Sequence, residues 1–260
     1  MPGGPELSLV VPLYNEARRA PSALKALGDA LSSPGSPRTE IIVVCDGCSD
    51  DTEPVVREVI ADLPAPTWCL HAYGTNRGKG HAVRHGFALS RGETVGFVDG
   101  DGAVDPAGIP RLWELQTAGL NRAVIGSRRC AGARISRPQP LHRRILGRVF
   151  SMLAVHALDL PVRDTQCGLK FFPGSVARQM ATLCHSDRFA FDLELLWFCR
   201  REGIEVCEEP VGWSDQEGSR VSVLRDGLPM LWAIAALALR PDPLTRHAVG
   251  VPITPVKDSP

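Results

Sequence analysis

The chain has no surplus of charge. Its 260 residues carry 29 basic and 29 acidic side chains, so no global field recruits nucleic acid and any electrostatic attraction has to be local. Long hydrophobic runs are missing too: the longest near the C-terminus, Leu228 to Leu239, has 12 residues, against the roughly 20 that a membrane-spanning helix needs. Met1-Pro2-Gly3-Gly4-Pro5 lacks a signal-peptide pattern. Eight cysteines in such a chain fit reduced thiols better than a disulfide framework. The CxxC at Cys45 and Cys48 has neither a second CxxC nor a histidine cluster beside it, as a metal site would need. These absences predict a cytoplasmic protein, soluble or at most peripheral at the inner face of the membrane. Two nucleotide-binding signatures are also absent. There is no GxxxxGK[ST] loop and no GxGxxG after the first strand, and no internal repeat is visible.

What is present is enough for a full core. With 44% hydrophobic residues, the chain can bury a large single domain, predicted over 1–240 and followed by a loose Pro-rich tail at 241–260. Apolar runs read as buried strands at Leu7 to Pro12, Ile41 to Cys45, Trp68 to Tyr73, Thr94 to Val98 and Ala123 to Ile125. Helical patterns alternate with them, from about Asn15 to Leu31, Ser49 to Leu63, Gly80 to Ser90 and Pro110 to Thr117. Repeated βα units of this length imply an α/β fold with a mostly parallel sheet and helices on both faces. After about residue 130 the pattern becomes a basic loop, several helices and a short strand at Ile204 to Glu208.

The most telling stretch is Asp99-Gly100-Asp101-Gly102, which follows the apolar run Thr94 to Val98. At the carboxyl edge of an open sheet, two carboxylates one residue apart can hold Mg²⁺ or Mn²⁺ against a diphosphate, because these hard ions take one or two carboxylates and leave the rest to phosphate and water. An isolated Asp-Gly turn is also met as a plain solvated turn. A second signal is one-sided charge. From Leu115 to Leu158 there is no acidic residue, yet Arg122, Arg128, Arg129, Arg134, Arg137, Arg143, Arg144 and Arg148 fall there. Such a block suggests an anion site, since arginine binds phosphate oxygens in bidentate fashion; a solvated helix face is the plainer reading. Phe150 is the only aromatic in the block, which argues against nucleic acid.

Several motifs in one order carry a resemblance: Val10 to Glu16 (VVPLYNE), Asn76 to Gly80 (NRGKG), Asp99 to Gly102, Gly126 to Arg128, Arg163 to Phe171 (RDTQCGLKF), Phe189 to Leu195 and Pro210 to Trp213 with Gly218 to Arg220. They resemble the family-2 glycosyltransferases of GT-A fold, in particular the branch of dolichyl-phosphate glucosyltransferases. The resemblance implies a metal-dependent inverting glycosyltransferase that moves glucose from UDP-glucose to a polyprenyl phosphate, with residues 1–128 binding the nucleotide sugar and 129–240 forming a C-terminal helical acceptor part. It implies that Pro12, Leu13, Tyr14, Glu16 and Asp46 hold base and ribose. Lys79, Asp99, Gly100 and Asp101 would lie at the diphosphate, with Mg²⁺ or Mn²⁺ on Asp99 and Asp101, and Gln166 would shape the sugar pocket with Asp164. Asp164 is counted with Asp192 as catalytic. Asp192 would be general base for a hydroxyl acceptor or an orienting group for a phosphate acceptor, which needs no base. Arg128, Arg129, Arg143 and Arg144 would meet the acceptor. One departure is Cys45-Asp46, where the family usually has two Asp residues.

Two other functions stay open at this level. A cytosolic enzyme with a soluble acceptor, such as a secondary metabolite, would fit the absence of an anchor, and a nucleotidyltransferase would share metal and sheet but needs a Gly-rich loop that Pro12 to Glu16 does not supply. A loop from Trp213 to Arg220 is expected to close over the donor. The segment Val221 to Leu239 is expected to present an apolar face, through Leu224, Leu228, Leu231, Trp232, Ile234 and Leu237, either to the core or to a membrane interface.

Overall fold

The computed structural model describes residues 3–63, 65–119, 121–188, 190–216 and 223–240. In chain order the elements are β1 (Leu7–Leu13), α1 (Ala20–Leu31), β2 (Thr39–Asp46), α2 (Thr52–Ala61), β3 (Thr67–Tyr73), α3 (Lys79–Leu89), β4 (Thr94–Val98), α4 (Ile109–Thr117), β5 (Arg122–Ser127), β6 (Arg134–Arg137), α5 (Leu141–Leu158), β7 (Leu169–Pro173), α6 (Gly174–Leu183), α7 (Phe191–Arg201), β8 (Glu205–Pro210), β9 (Gly212–Ser214) and α8 (Val223–Ala238). The main sheet has seven strands in the order β3-β2-β1-β4-β7-β5-β8. All neighbours are parallel except β7, which runs antiparallel to both β4 and β5. A small parallel sheet pairs β6 with β9.

Alternation along the strands builds two layers of core. In β1, Leu7, Leu9, Val11 and Leu13 pack with Leu24 of α1, Val56 of α2 and Leu112 of α4, whereas Val10 turns to the other face and packs with Phe87 of α3, Met180 of α6 and Phe191 of α7. The inner strands β1, β2, β4, β5 and β7 are buried on both faces, and for that reason they carry continuous apolar runs. A third cluster joins Ala154 and Leu158 of α5 to Leu196 and Trp197 of α7 and to Ile234 and Leu237 of α8. The fold is therefore the α/β architecture expected, with three differences.

The first helix begins at Ala20 and not near Asn15. Asn15 adopts φ 53, a left-handed conformation that a helix cannot include, and its Oδ1 accepts hydrogen bonds from the backbone N–H groups of Ser49 (2.7 Å) and Asp50 (3.3 Å). The basic stretch after residue 130 is not simply a loop, because it contains β6 and the first turns of α5. Third, Leu169 to Pro173 is a central strand. The division at residue 128 thus follows chain order and not layers, since β7 from the later part is inserted between β4 and β5.

Ile234 and Leu237 of α8 face the core, while Leu231, Trp232 and Leu239 are exposed. Among the described residues, no helix is long and apolar enough to cross a membrane. The loop closure expected through Gly218 and Arg220, the side chains of Leu224 and Leu228, and the tail at 241–260 lie outside the described residues.

Candidate active site

Parallel pairing of β2, β1 and β4 brings three segments to one sheet edge: Tyr14 to Arg19, Gly47 to Asp51 and Asp99 to Gly102. The Asp99 N–H donates to the Gly168 carbonyl at 2.8 Å, which fixes the start of the acidic turn against the segment leading into β7. Only glycine fits there, because a Cβ on Gly168 would stand 2.0 Å from Asp99 Oδ2. Gly100 is confined similarly, 2.2 Å from Leu13 Cδ2 if a Cβ were added. Asp101 Oδ1 accepts the Ala103 N–H at 3.0 Å. The two carboxylates line a cavity of about 160 Å³ together with Arg19, Ser22 and Gln216. A wider hollow of about 590 Å³ lies beside the opposite ends of the strands, around Arg38, Glu40 and Arg91, and includes none of the predicted site residues.

Behind the acidic turn runs a chain of alternating charges. Lys79, the first residue of α3, places Nζ 2.6 Å from Asp99 Oδ1 and 3.6 Å from Asp192 Oδ2. Asp192 Oδ1 also accepts a hydrogen bond from Lys170 Nζ, which donates as well to the Cys167 carbonyl at 2.7 Å. Lys170 is fully buried, and its ammonium lies 5.4 Å from the centre of the Phe97 ring. Burial opposes the charge on Lys79, but Asp192 and Asp99 outweigh it and raise its pKa above the ordinary lysine value. Withdrawal from water pushes the Asp99 carboxyl up, against the pull of Lys79 and with the help of Asp101. Lys170 belongs to the RDTQCGLKF motif, and a lysine inside the apolar run LKFFP is the sequence signal of a buried ion pair.

The residues present suit a hard divalent cation. Asp99 Oδ1 is buried and meets the Lys79 ammonium at 2.6 Å, and among the described residues no better-directed donor reaches it. No group of three or more His, Cys, Asp or Glu side chains converges as a metal site among the described residues. Two carboxylates at an open cavity are what Mg²⁺ or Mn²⁺ uses when phosphate and water complete its shell.

Asp46 is buried and committed to the loop before α3. Its Oδ1 accepts the Arg77 N–H at 2.8 Å, and its Oδ2 accepts the Gly78 N–H at 2.8 Å and Asn76 Nδ2 at 3.0 Å. This carboxylate therefore sets the approach of Lys79 to Asp99. Glu16 donates its N–H to Thr52 Oγ1 at 2.6 Å and pairs its carboxylate with Arg19, also at 2.6 Å. Arg19, which no motif singled out, is thereby directed toward the cavity that holds Asp101. Pro12 and Leu13 end β1 beneath this loop, and Tyr14 follows them. The eight cysteines are free thiols.

Asp164, completely buried, forms a second centre. Its Oδ2 accepts Arg128 N–H (2.9 Å) and Nε (2.8 Å), while Oδ1 accepts Arg128 Nη2 at 2.8 Å. Arg128 stacks at 5.4 Å on Trp213, and Glu208 accepts the backbone N–H groups of Arg163 and Asp164. Burial pushes the Asp164 carboxyl up, but the Arg128 guanidinium overcomes it and holds the pKa at about 2, below the ordinary 3.8. A depressed carboxylate contributes stability that is complete above its unfolded value and lost as pH falls toward its folded one. Asp164 should therefore contribute about 2 kcal/mol at neutral pH that disappears between roughly pH 4 and pH 2. Urea unfolding of wild type and Asp164→Asn across that range checks this, since the variant should be less stable at pH 7 and show a flatter acid limb. An unchanged acid limb would assign the titration to another group.

Gln166 sits next to this pair, with its N–H 3.4 Å from Asp164 Oδ1 and its Nε2 buried without a partner among the described residues. Arg129 reaches the carbonyls of Arg163 (2.5 Å) and Gly147 (3.2 Å), tying β5 to α5. Arg143 and Arg144, on the first turn of α5, make no ion pair with any described residue. The structure thus brings Lys79, Asp99, Asp101 and Asp192 into one cluster and Arg128 with Asp164 and Gln166 into another, and leaves Arg143 and Arg144 outside both.

The glycosyl transferase family 2 model matches residues 8–180. The chain is 31% identical over 245 residues to a dolichyl-phosphate beta-glucosyltransferase of Dictyostelium discoideum, covering 90% of this chain and 74% of that protein. It is 32% identical over 229 residues to the Homo sapiens protein of the same name, covering 83% and 69%. Among solved structures, glucosyl-3-phosphoglycerate synthase from Mycobacterium tuberculosis, in complex with Mn²⁺, UDP and phosphoglyceric acid, superposes with a TM-score of 0.67 at 17% identity, over 92% of this chain and 81% of that one. That likeness gives the GT-A fold. The span of the family match and the identity to these relatives establish that the chain belongs to glycosyl transferase family 2 and is a glycosyltransferase.

Proposed function

We propose that this enzyme transfers glucose from UDP-glucose to a polyprenyl phosphate, with inversion and with Mg²⁺ or Mn²⁺ at the donor. The observation that carries the reading is the match to proteins named dolichyl-phosphate beta-glucosyltransferase along 83–90% of the chain. The same fold holds UDP and Mn²⁺ in glucosyl-3-phosphoglycerate synthase.

In this reading the loop from Pro12 to Glu16 and the turn after Asp46 line the base and ribose. Asp99 and Asp101 would hold the metal, which when bound neutralises charge building on the departing diphosphate. Lys79 and Arg19 add positive charge beside it. Gln166 Nε2, without a partner among the described residues, takes a sugar hydroxyl, which relieves the cost of an unsatisfied buried donor. Asp164 holds Arg128 in place and so acts as a positioning group. Both oxygens of Asp192 already face ammonium groups, so Asp192 orients Lys79. A phosphate acceptor arrives as its own nucleophile and asks no more of Asp192. Arg143 and Arg144, unengaged by carboxylates, remain for the lipid phosphate.

The test is a donor and acceptor panel. UDP-glucose with Mn²⁺ should raise the melting temperature more than GDP-glucose or dTDP-glucose does, by the equivalent of about 2.7 kcal/mol at a hundredfold excess over Kd. Glucose should then appear on a short-chain polyprenyl phosphate. Donor stabilisation without transfer to any polyprenyl phosphate would overturn the acceptor and favour a soluble one.

A further inference from the structure

Helix α5 is apolar on the side that faces the core and apolar again on the side that faces away from it. At 3.6 residues per turn, its buried residues Ser151, Ala154 and Leu158 form one stripe, joined to the cluster beneath α7 and α8. Diametrically opposite stand Leu141, Ile145, Leu146, Val149, Met152 and Leu153, which are 44–67% exposed. A surface helix ordinarily turns charged or polar residues to that side. Scattered exposed leucines need no explanation, but six exposed apolar side chains between Leu141 and Leu153, sharing their side of the helix with His142 and His156, do.

The flanks of the stripe indicate what covers it. Arg144 and Arg148 border it on one side and Arg143 lies beyond its other margin, in a stretch with no acidic residue from Leu115 to Leu158. These arginines form no ion pair with any described residue. Two copies meeting through this face would bring like charges together, whereas an anionic bilayer offers an apolar interior and negative headgroups at once, with the arginine stems lying along the boundary. The helix is not a spanning segment, which leaves an orientation in the plane of the interface. Its neighbour α8 supports this by exposing Trp232 at 75%, a residue type favoured at headgroup depth.

We infer that α5 is a membrane-docking helix that lays its Leu141 to Leu153 stripe on an anionic lipid surface with its arginines among the headgroups. The stripe stands on its own geometry; its use in delivering a lipid phosphate rests on the proposed acceptor. Arg129 links the Gly147 carbonyl of α5 to the Arg163 carbonyl beside Asp164, so a docked helix would lie next to the second polar centre.

Vesicle flotation of the full chain, with phosphatidylcholine vesicles and with vesicles that also contain phosphatidylglycerol, tests the inference. The wild type should float with the anionic vesicles in low salt and less so as salt rises. Arg144→Ala with Arg148→Ala should weaken partitioning roughly 30-fold. The triple variant Ile145→Gln, Val149→Gln, Met152→Gln should stay unbound at every salt concentration; since these side chains are exposed, its circular dichroism melt should match the wild type. Wild-type protein that remains in the soluble fraction, or variants that float as well as it does, would overturn the inference. So would a dimer in sedimentation that the triple variant dissociates, which would assign the stripe to a second copy. Flotation without transfer to polyprenyl phosphate would instead reject the acceptor and leave the docking helix standing, and transfer to a water-soluble polyprenyl phosphate without flotation would do the reverse.

Discussion

Asp101→Ala is expected to lose divalent-cation binding and, with it, nearly all turnover, while the protein stays folded. The carboxylate lines the cavity, and its one hydrogen bond among the described residues closes the turn to Ala103 at 3.0 Å, so removing it should cost only about 1 kcal/mol of stability. Transition-state charge on the departing diphosphate would then lack a ligand for its counter-ion, a loss of about 10²–10³ in rate. Mn²⁺ binding followed by electron paramagnetic resonance in the presence of UDP gives a readout separate from activity. Asp99 alone should not retain the ion, because its own carboxylate already faces Lys79 at 2.6 Å. Wild-type turnover by the variant in metal-containing buffer would remove Asp101 from the ligand set.

Asp192→Asn should have the largest effect on stability. Lys170 is fully buried, and among the described residues its ammonium is hydrogen-bonded to Asp192 Oδ1 and the Cys167 carbonyl, with Asp192 its nearest counter-ion; leaving that charge without a counter-ion costs about 3–5 kcal/mol. The double variant Asp192→Asn, Lys170→Met should recover part of the loss, because no unpaired charge is then buried. Guanidinium unfolding of the four proteins in this cycle measures the coupling, and strictly additive losses would mean that the pair is not a unit. Rate measurements on folded Asp192→Asn separate the acceptor classes. A hydroxyl acceptor that relied on Asp192 as base should lose roughly 10²–10⁴-fold, and a phosphate acceptor much less.

The predicted motifs were legible because each depends on local pattern. Buried strands announce themselves as apolar runs, and Asp99 and Asp101 follow one of them at the distance a strand end and turn require. Helix boundaries were less legible: Asn15 leaves the helical conformation because its side chain is held by Ser49 and Asp50, more than thirty positions away. Leu169 to Pro173 was equally hidden as a strand, since its antiparallel place between β4 and β5 is decided by partners far along the chain.

The sequence by itself determined the α/β class, the carboxyl-edge position of the acidic turn and the family, because strand periodicity and an ordered set of short motifs are properties of neighbouring residues. Tertiary structure alone decided which charges meet. Asp46, read as a ligand to base and ribose, has its carboxylate given to three groups of the Asn76 to Gly78 turn. Arg128 is given to Asp164, Glu16 to Arg19 and Asp192 to two lysines, while Arg144 is exposed and Arg143 half-buried on a helix whose far face is apolar. A charged side chain in a sequence shows its sign but not its partner; burial makes an unpaired charge costly, and so the fold fixes pairings that no local pattern contains.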